Sequence, residues 1–327
     1  MTPIKLHIAA SANPSCHPSP HLYKSDTSKV VFQCMASTCE ILIDAPQLTH
    51  SQLTEVSTLG VAEAWRIEYK YSRYVIDNTW ANLHKQHDAE QLIDQETQSL
   101  LGFAYQAWQL SDGLFDITSG RLREIWSLTR TRLPKQQDID ELMPYIGFSN
   151  LKWLPDTPES ILIPTGVELD FGGIGKEYAV DRVLNILSEY LATKSLRYRL
   201  LVNFGGDLAC KQNQCPPTPW NVGIESLSQS HRSDIDLELT QGALATSGDT
   251  KRFIEIDGKR FGHILNPKTG WPIRSPYRSV SVAGATCVQA GMLATLTLLQ
   301  GNQAKEFINQ TGVPYWLRSE HKTYTNQ

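Results

Sequence analysis

The chain has 327 residues, of which 41% are hydrophobic and 20% charged, and its 30 Lys and Arg against 34 Asp and Glu leave a net charge of −4. That is enough apolar material for a substantial core, and the slight acidity recommends neither nucleic acid nor anionic membrane as a partner. No apolar run approaches the roughly 20 residues that cross a bilayer, and the first thirty residues lack the continuous apolar stretch of a signal peptide, so the expectation is a cytoplasmic protein.

In chain order, residues 10–28 are rich in Ser, Pro and His and read as a loose arm, so that 1–29 is set apart from one domain over 30–327. Val31 to Asp44 (VFQCMASTCEILID) alternates as a strand. Leu53, Val56, Leu59, Val61, Ala64, Trp65 and Ile67 fit a long amphipathic helix from about His50 to Tyr74. A second helix runs from about Glu96 to Leu110 and stops at Ser111-Asp112-Gly113. A glycine-bounded loop and a short helix follow, then another short helix over Asp138 to Gly147. Val167 to Asp170 reads as a strand, Lys176 to Leu191 as a helix, and Tyr198 to Asn203 as a strand before a Gly205-Gly206 turn. Further strands lead to Ser279–Ala283 and a last helix, Val288 to Leu299. Helices punctuating a mostly β framework give an α+β class.

The six cysteines, Cys16, Cys34, Cys39, Cys210, Cys215 and Cys287, include two C-x4-C pairs, but neither has the nearby His or second C-x-x-C of a zinc site. They read as free or partly buried thiols of a reducing compartment.

Four loops each set glycine beside a carboxylate or hydroxyl: Gly113-Leu114-Phe115-Asp116, Asp170-Phe171-Gly172-Gly173-Ile174-Gly175-Lys176, Asn203-Phe204-Gly205-Gly206-Asp207 and Ala245-Thr246-Ser247-Gly248-Asp249. Glycine lets a backbone approach a ligand closely, and a following helix N-terminus offers N–H groups to phosphate. Taken singly, each is more simply a tight turn. Neither G-x-G-x-x-G nor G-x-x-x-x-G-K-[ST] is present. Lys176, near a helix start, can neutralise a pyrophosphate or be an ordinary surface lysine. His263, at the end of FGH before the turn pairs Asn266-Pro267 and Thr269-Gly270, is a candidate general base because imidazole titrates near neutrality, although a lone histidine more often serves structure.

In combination and order, these segments resemble the FAD:protein FMN transferase (ApbE) family. The motifs are MAST at Met35, SRY at Ser72, GLFDITSGRL at Gly113, DFGGIGKEYAVDR at Asp170, LVNFGGD at Leu201, PWNVGIE at Pro219, ALATSGDTKRF at Ala243, GHILNPKTGWPI at Gly262, and SVSVAGAT with LATLTLLQG near the end. The resemblance implies a two-lobed α+β fold, with mixed and antiparallel sheets, flanking helices and a flavin site in the cleft between lobes. It implies cleavage of FAD, release of AMP, and transfer of FMN to a Thr or Ser of a target flavoprotein with a Ser/Thr-Gly-Ala-Ser/Thr motif, with Mg2+ neutralising the pyrophosphate. By motif, Met35, Tyr74, Leu114, Phe115, Asp116, Asp170, Lys176, Ser247 and His263 would line the FAD site. His263 would be the base, and the Gly175 backbone and the Thr295 hydroxyl would be metal ligands.

The sequence departs from the family pattern at a few positions. The last motif usually reads Ala-Asp-Ala-Leu-(Ala/Ser)-Thr, and here it is Ala290-Gly291-Met292-Leu293-Ala294-Thr295, without the carboxylate. Magnesium is usually held by one or two carboxylates plus phosphate oxygens and water, so Asp207 or Asp249 is considered as a substitute. Lys176-Glu177 replaces the common Lys-Gly, a bulkier residue expected to narrow the loop. Ala81 and His84 replace serines and asparagine common after the SRY motif. The missing carboxylate motivates one alternative, a FAD-binding protein without catalysis; a FAD pyrophosphatase giving FMN and AMP is the other. Ala283-Gly284-Ala285-Thr286 resembles an acceptor motif, but its first residue is Ala and its setting is a core strand, so it is set aside as coincidence.

Overall fold

A computed structural model describes the whole chain except residues 1, 2, 7, 9–16, 128, 129, 230, 231 and 250–252. The chain divides into two compact units, each assembled from three segments: 1–78, 175–246 and 281–291 form the first, and 79–174, 247–280 and 292–327 the second.

The first unit is built on an antiparallel sheet. Ile4–Lys5 pairs with His21–Tyr23, and His21–Tyr23 with Ser28–Cys34. The order continues through Ser37–Asp44, Arg199–Phe204, Asp207–Gln212 and Gly242–Gly248. Two sequence expectations are corrected here. The described part of the supposed loose arm contributes two strands, because Leu22 is fully buried and its backbone pairs with Val30. The single strand over Val31 to Asp44 is a hairpin, turning at Met35 and Ala36, both at positive φ (50° and 55°). A two-residue hairpin turn needs positive φ to match the strand twist, and without Gly or Asn the sequence carried no sign of it. Cys16 lies outside the described residues.

Two helices, His50–Tyr71 and Gly175–Thr193, pack on each other and on this sheet. The first begins with a capping box, Thr49 accepting from Gln52 N while the Gln52 side chain accepts from Thr49 N, which satisfies donors that the helix start leaves open. Close approach is achieved at Gly60, where a Cβ would stand 2.8 Å from Ile41 Cδ1 on the sheet and 3.2 Å from Leu187 Cδ1 on the other helix. A separate hairpin, Trp220–Glu225 with Ser233–Leu239, completes the unit.

The second unit is more helical and aromatic. Gln95–Leu110 starts at Asp94, whose side chain accepts from Thr97 N, and ends at Ser111 before Asp112 and Gly113 at φ 51° and 75°. Tyr105 and Trp108 on this helix pack against Phe148, and Tyr105 also packs against Trp153. A three-stranded sheet is formed by Glu90–Leu92, Thr157–Leu162 and Lys152–Leu154. A core of Leu122, Ile125, Trp126, Ile139, Ile254 and Ile256 joins the short helices Leu122–Ile125 and Gln136–Leu142 to the hairpin Phe253–Ile256 with Lys259–Gly262.

The expected strand at Val167 to Asp170 is not formed. These residues bond elsewhere: Leu169 N donates to His84 Nε2 at 2.9 Å, Trp80 Nε1 donates to Leu169 O at 3.1 Å, and Asp170 N donates to Ile117 O at 2.8 Å. Buried backbone groups need partners, and here a helix and a loop supply them instead of a sheet. The helix Cys287–Leu299 belongs through Gly291 to the first unit and from Met292 to the second. Among the described residues, no helix is long and apolar enough to cross a membrane.

Candidate active site

The expected site residues divide between the units. Met35, Tyr74, Gly175 and Lys176 lie in the first, and Leu114, Phe115, Asp116, Asp170, Ser247, His263 and Thr295 in the second.

In the first unit, the Met35 turn is anchored because its backbone N donates to Glu68 Oε1 at 2.9 Å. Tyr74 is 83% exposed, so its ring can take a planar ligand without rearrangement of the core. Gly175 opens the Gly175–Thr193 helix, and Lys176 follows in its first turn, beside the free N–H groups that favour an anion. Lys176 Nζ pairs with Asp207 Oδ2 at 2.6 Å. The other Asp207 oxygen accepts from Thr246 N at 2.9 Å. Asp207 is therefore buried, held on both oxygens, and not open to a metal as the sequence allowed.

Glu177 comes next, and its side chain turns into the interior instead of narrowing the loop. It is 9% exposed, and its Oε2 is buried without a hydrogen-bond partner among the described residues. Burial, with the Asp207 carboxylate as second cause, pushes its pKa from the usual 4.5 to about 8, against the pull of Lys176. Asp181, one turn on, behaves differently. Its oxygens accept from Cys287 N at 2.8 Å and Val288 N at 2.9 Å, so it caps the Cys287–Leu299 helix. Sequence reasoning noted Glu177 as a departure from the family pattern but did not foresee its burial.

In the second unit, the Asp116 carboxylate serves its own loop. Oδ1 accepts from Thr118 N at 2.9 Å and Thr118 Oγ1 at 2.6 Å, and Oδ2 accepts from Phe148 N at 2.7 Å. Phe115 is 7% exposed, and its ring lies where a Cβ on Gly173 would stand, 2.9 Å from Phe115 Cε2. Leu114 is half-buried beside it. Asp170 folds back on the glycine loop, Oδ1 accepting from Gly172 N at 2.7 Å and Oδ2 pairing with Arg123 Nη1 at 3.2 Å. His84, flagged for replacing a commoner residue, takes its Nδ1 to Trp80 O at 2.7 Å and accepts from Leu169 N, so it holds the segment that delivers Asp170.

Thr295 Oγ1 donates to Ser247 Oγ at 3.3 Å, so two of the expected residues are neighbours. Asp249 is tied to Arg278 at 2.7 Å and to Arg260 at 3.7 Å, which removes it as a substitute metal ligand. His263 is half-buried, directly after the strand Lys259–Gly262 and before the turn in which Gly270 N donates to Asn266 O at 2.8 Å.

The donors fit a hard cation in kind. Hydroxyls, backbone carbonyls and one buried, unpartnered carboxylate oxygen are the oxygen ligands magnesium takes. Among the described residues no three His, Cys, Asp or Glu side chains cluster to hold a metal without such help.

A sequence profile described as the ApbE family matches residues 35–317, most of the chain. The chain belongs to the ApbE family. Among relatives, the FAD:protein FMN transferase of Escherichia coli K12 is 26% identical over 215 residues, 63% of this chain and 60% of that protein. That of Vibrio cholerae is 28% identical over 216 residues, 64% of this chain and 63% of that protein. The aligned part thus spans less than two thirds of the length of these ApbE relatives. Salmonella typhimurium has one that is 25% identical over 284 residues, 84% of this chain and 78% of that protein. In structure, an ApbE protein from Thermotoga maritima superposes with a TM-score of 0.81 at 25% identity, covering 92% of this chain and 97% of the other. The apo Pseudomonas stutzeri flavinyl transferase ApbE gives 0.78 at 21% identity, covering 93% and 96%. The mixed α+β fold expected from the sequence is the observed one.

Proposed function

We propose that this ApbE-family chain is an FAD:protein FMN transferase. The likeness over residues 35–317 to a family whose named relatives catalyse this reaction carries the reading. The first unit adds a physical reason: a lysine in the first turn of a helix suits a pyrophosphate.

In the reaction, the hydroxyl oxygen of a Thr or Ser in the target flavoprotein attacks the FMN-side phosphorus of FAD. The bond from that phosphorus to the bridging oxygen breaks, and AMP leaves with that oxygen. His263 is assigned the hydroxyl proton, since imidazole accepts a proton near neutral pH. Lys176 offsets the charge that gathers on the leaving phosphate. Its ammonium already has a partner in Asp207, which fixes its position before substrate arrives. Tyr74 offers an exposed ring for stacking, and Met35 in the same unit adds apolar surface for the FAD rings. The Gly175 backbone and Thr295 hydroxyl are assigned to Mg2+. That ion, when bound, supplies further charge neutralisation on the pyrophosphate.

The proposed target carries a Ser/Thr-Gly-Ala-Ser/Thr acceptor motif. A cytoplasmic setting is part of the reading; burial raises the pKa of the Cys34, Cys210 and Cys287 thiols and keeps them unreactive.

Incubation of the full chain with FAD, Mg2+ and a protein bearing the acceptor motif, followed by mass spectrometry, tests this. The expected result is a target heavier by one FMN, with one AMP released per adduct. FMN and AMP without an acceptor would make the chain a pyrophosphatase instead. FAD bound with no AMP under any divalent metal would make it a carrier or sensor.

A further inference from the structure

Gly291 and Glu177 form one packed feature in the first unit. A Cβ on Gly291 would stand 2.5 Å from Cγ, 3.1 Å from Cδ and 3.0 Å from Oε1 of Glu177. Both positions therefore cannot carry side chains in this arrangement, and the Glu177 carboxyl group fills the space that the glycine leaves. Glycine is otherwise a poor choice within a helix, where alanine is favoured. Close approach by Glu177 accounts for it without invoking drift.

One carboxyl oxygen is answered by the residue's own backbone N–H, which leaves the other to explain. Asp181 caps a helix and Asp207 holds Lys176 and Thr246 N, whereas Glu177 Oε2 accepts no hydrogen bond among the described residues. A buried acid without a partner is costly unless something else answers its charge. Around it stand two more carboxylates, Asp207 and Asp181, and the one ammonium in the group, Lys176, already contacts Asp207. Asp207 and Asp249 are both held by basic partners, which leaves Glu177 as the acid with an open oxygen.

We propose that Glu177 is the carboxylate ligand of the divalent cation used with FAD, delivered from the first turn of the Gly175–Thr193 helix, and that Gly291 is present to admit it. In the family pattern an acid at the position of Gly291 would supply this donor from the Cys287–Leu299 helix; here the neighbouring helix supplies it. The proposal rests on the FMN transferase reading for the identity of the anion that shares the cation.

The test uses the full chain with FAD and Mn2+, following free Mn2+ by electron paramagnetic resonance. Glu177→Gln keeps shape and removes charge, and is expected to weaken Mn2+ binding by about tenfold or more. The exchange variant Glu177→Gly with Gly291→Asp is expected to recover affinity to within about threefold of the parent, and Gly291→Asp alone to gain nothing because it meets Glu177. Unchanged Mn2+ affinity in Glu177→Gln, or no Mn2+ bound by the parent with FAD present, overturns the proposal. Should Glu177→Gln fail to fold, the exchange variant decides: metal affinity recovered supports the assignment, and affinity lost refutes it. Flavin fluorescence in EDTA separates the two readings. No FAD affinity sinks the transferase assignment, whereas FAD bound with Mn2+ indifferent to Glu177 sinks only this one.

Discussion

Asp116 in the second unit and Glu177 in the first are acids of similar burial, 8% and 9% exposed, set beside glycine-rich loops. Burial raises both pKa values. Their surroundings differ. Asp116 receives three hydrogen bonds that tie two stretches of its own unit together, and these oppose the effect of burial. Glu177 keeps an oxygen with no donor among the described residues. Burial of a carboxylate thus separates nothing by itself; what distinguishes an acid that builds a loop from one placed for a ligand is whether its oxygens are already answered.

The largest expected effect follows from Glu177. Its folded pKa is raised, so the folded state holds a proton that the unfolded chain releases. The stability this contributes is complete below about pH 4.5 and is lost as pH rises through about 8. For metal-free protein in EDTA, thermal unfolding should show a loss on the order of 3 kcal/mol between pH 5 and pH 8, and a smaller one in Glu177→Gln, where the raised Asp116 and Asp181 carboxyls remain. A flat profile in the parent would mean that the carboxyl is better solvated than its burial implies.

Asp116→Ala should cost about 2–3 kcal/mol in chemical denaturation, because it strands buried donors at Thr118 and Phe148. If the loss is below about 0.5 kcal/mol, typical of an ordinary surface change, the contrast between the two acids fails. Gly291→Ala should cost about 2 kcal/mol by overpacking against Glu177, and most of that should vanish in a Glu177→Gly background. Additive penalties would show that the two positions are not coupled. The smallest effect is expected for Gly173→Ala, about 1 kcal/mol, since the Phe115 ring must shift to accept a Cβ at 2.9 Å.

Much of the fold was legible. The apolar spacing of the His50–Tyr71 helix, the Ser111-Asp112-Gly113 stop and the Gly205-Gly206 turn act through local physics, and the structure has each of them. The Met35-Ala36 turn was not legible, because its positive φ angles are imposed on residues that seldom adopt them. Nor was the absence of a strand at Val167 to Asp170, since an apolar alternating run says nothing about which partner its backbone finds. The glycine loops and the residues around them were found by motif. The duty of each carboxylate within them was not.

The amino-acid order determined by itself the class of fold, the long helices, the glycine turns and the family pattern, including the missing acid at Gly291. Only tertiary structure decided where the oxygens go: Asp116 to its loop, Asp207 to Lys176, Asp249 to two arginines, and Glu177 into the gap at Gly291. The reason is range. Helical periodicity and turn preference act over a few residues, while Glu177 and Gly291 lie more than a hundred positions apart in the chain and meet because the helices that carry them pack together.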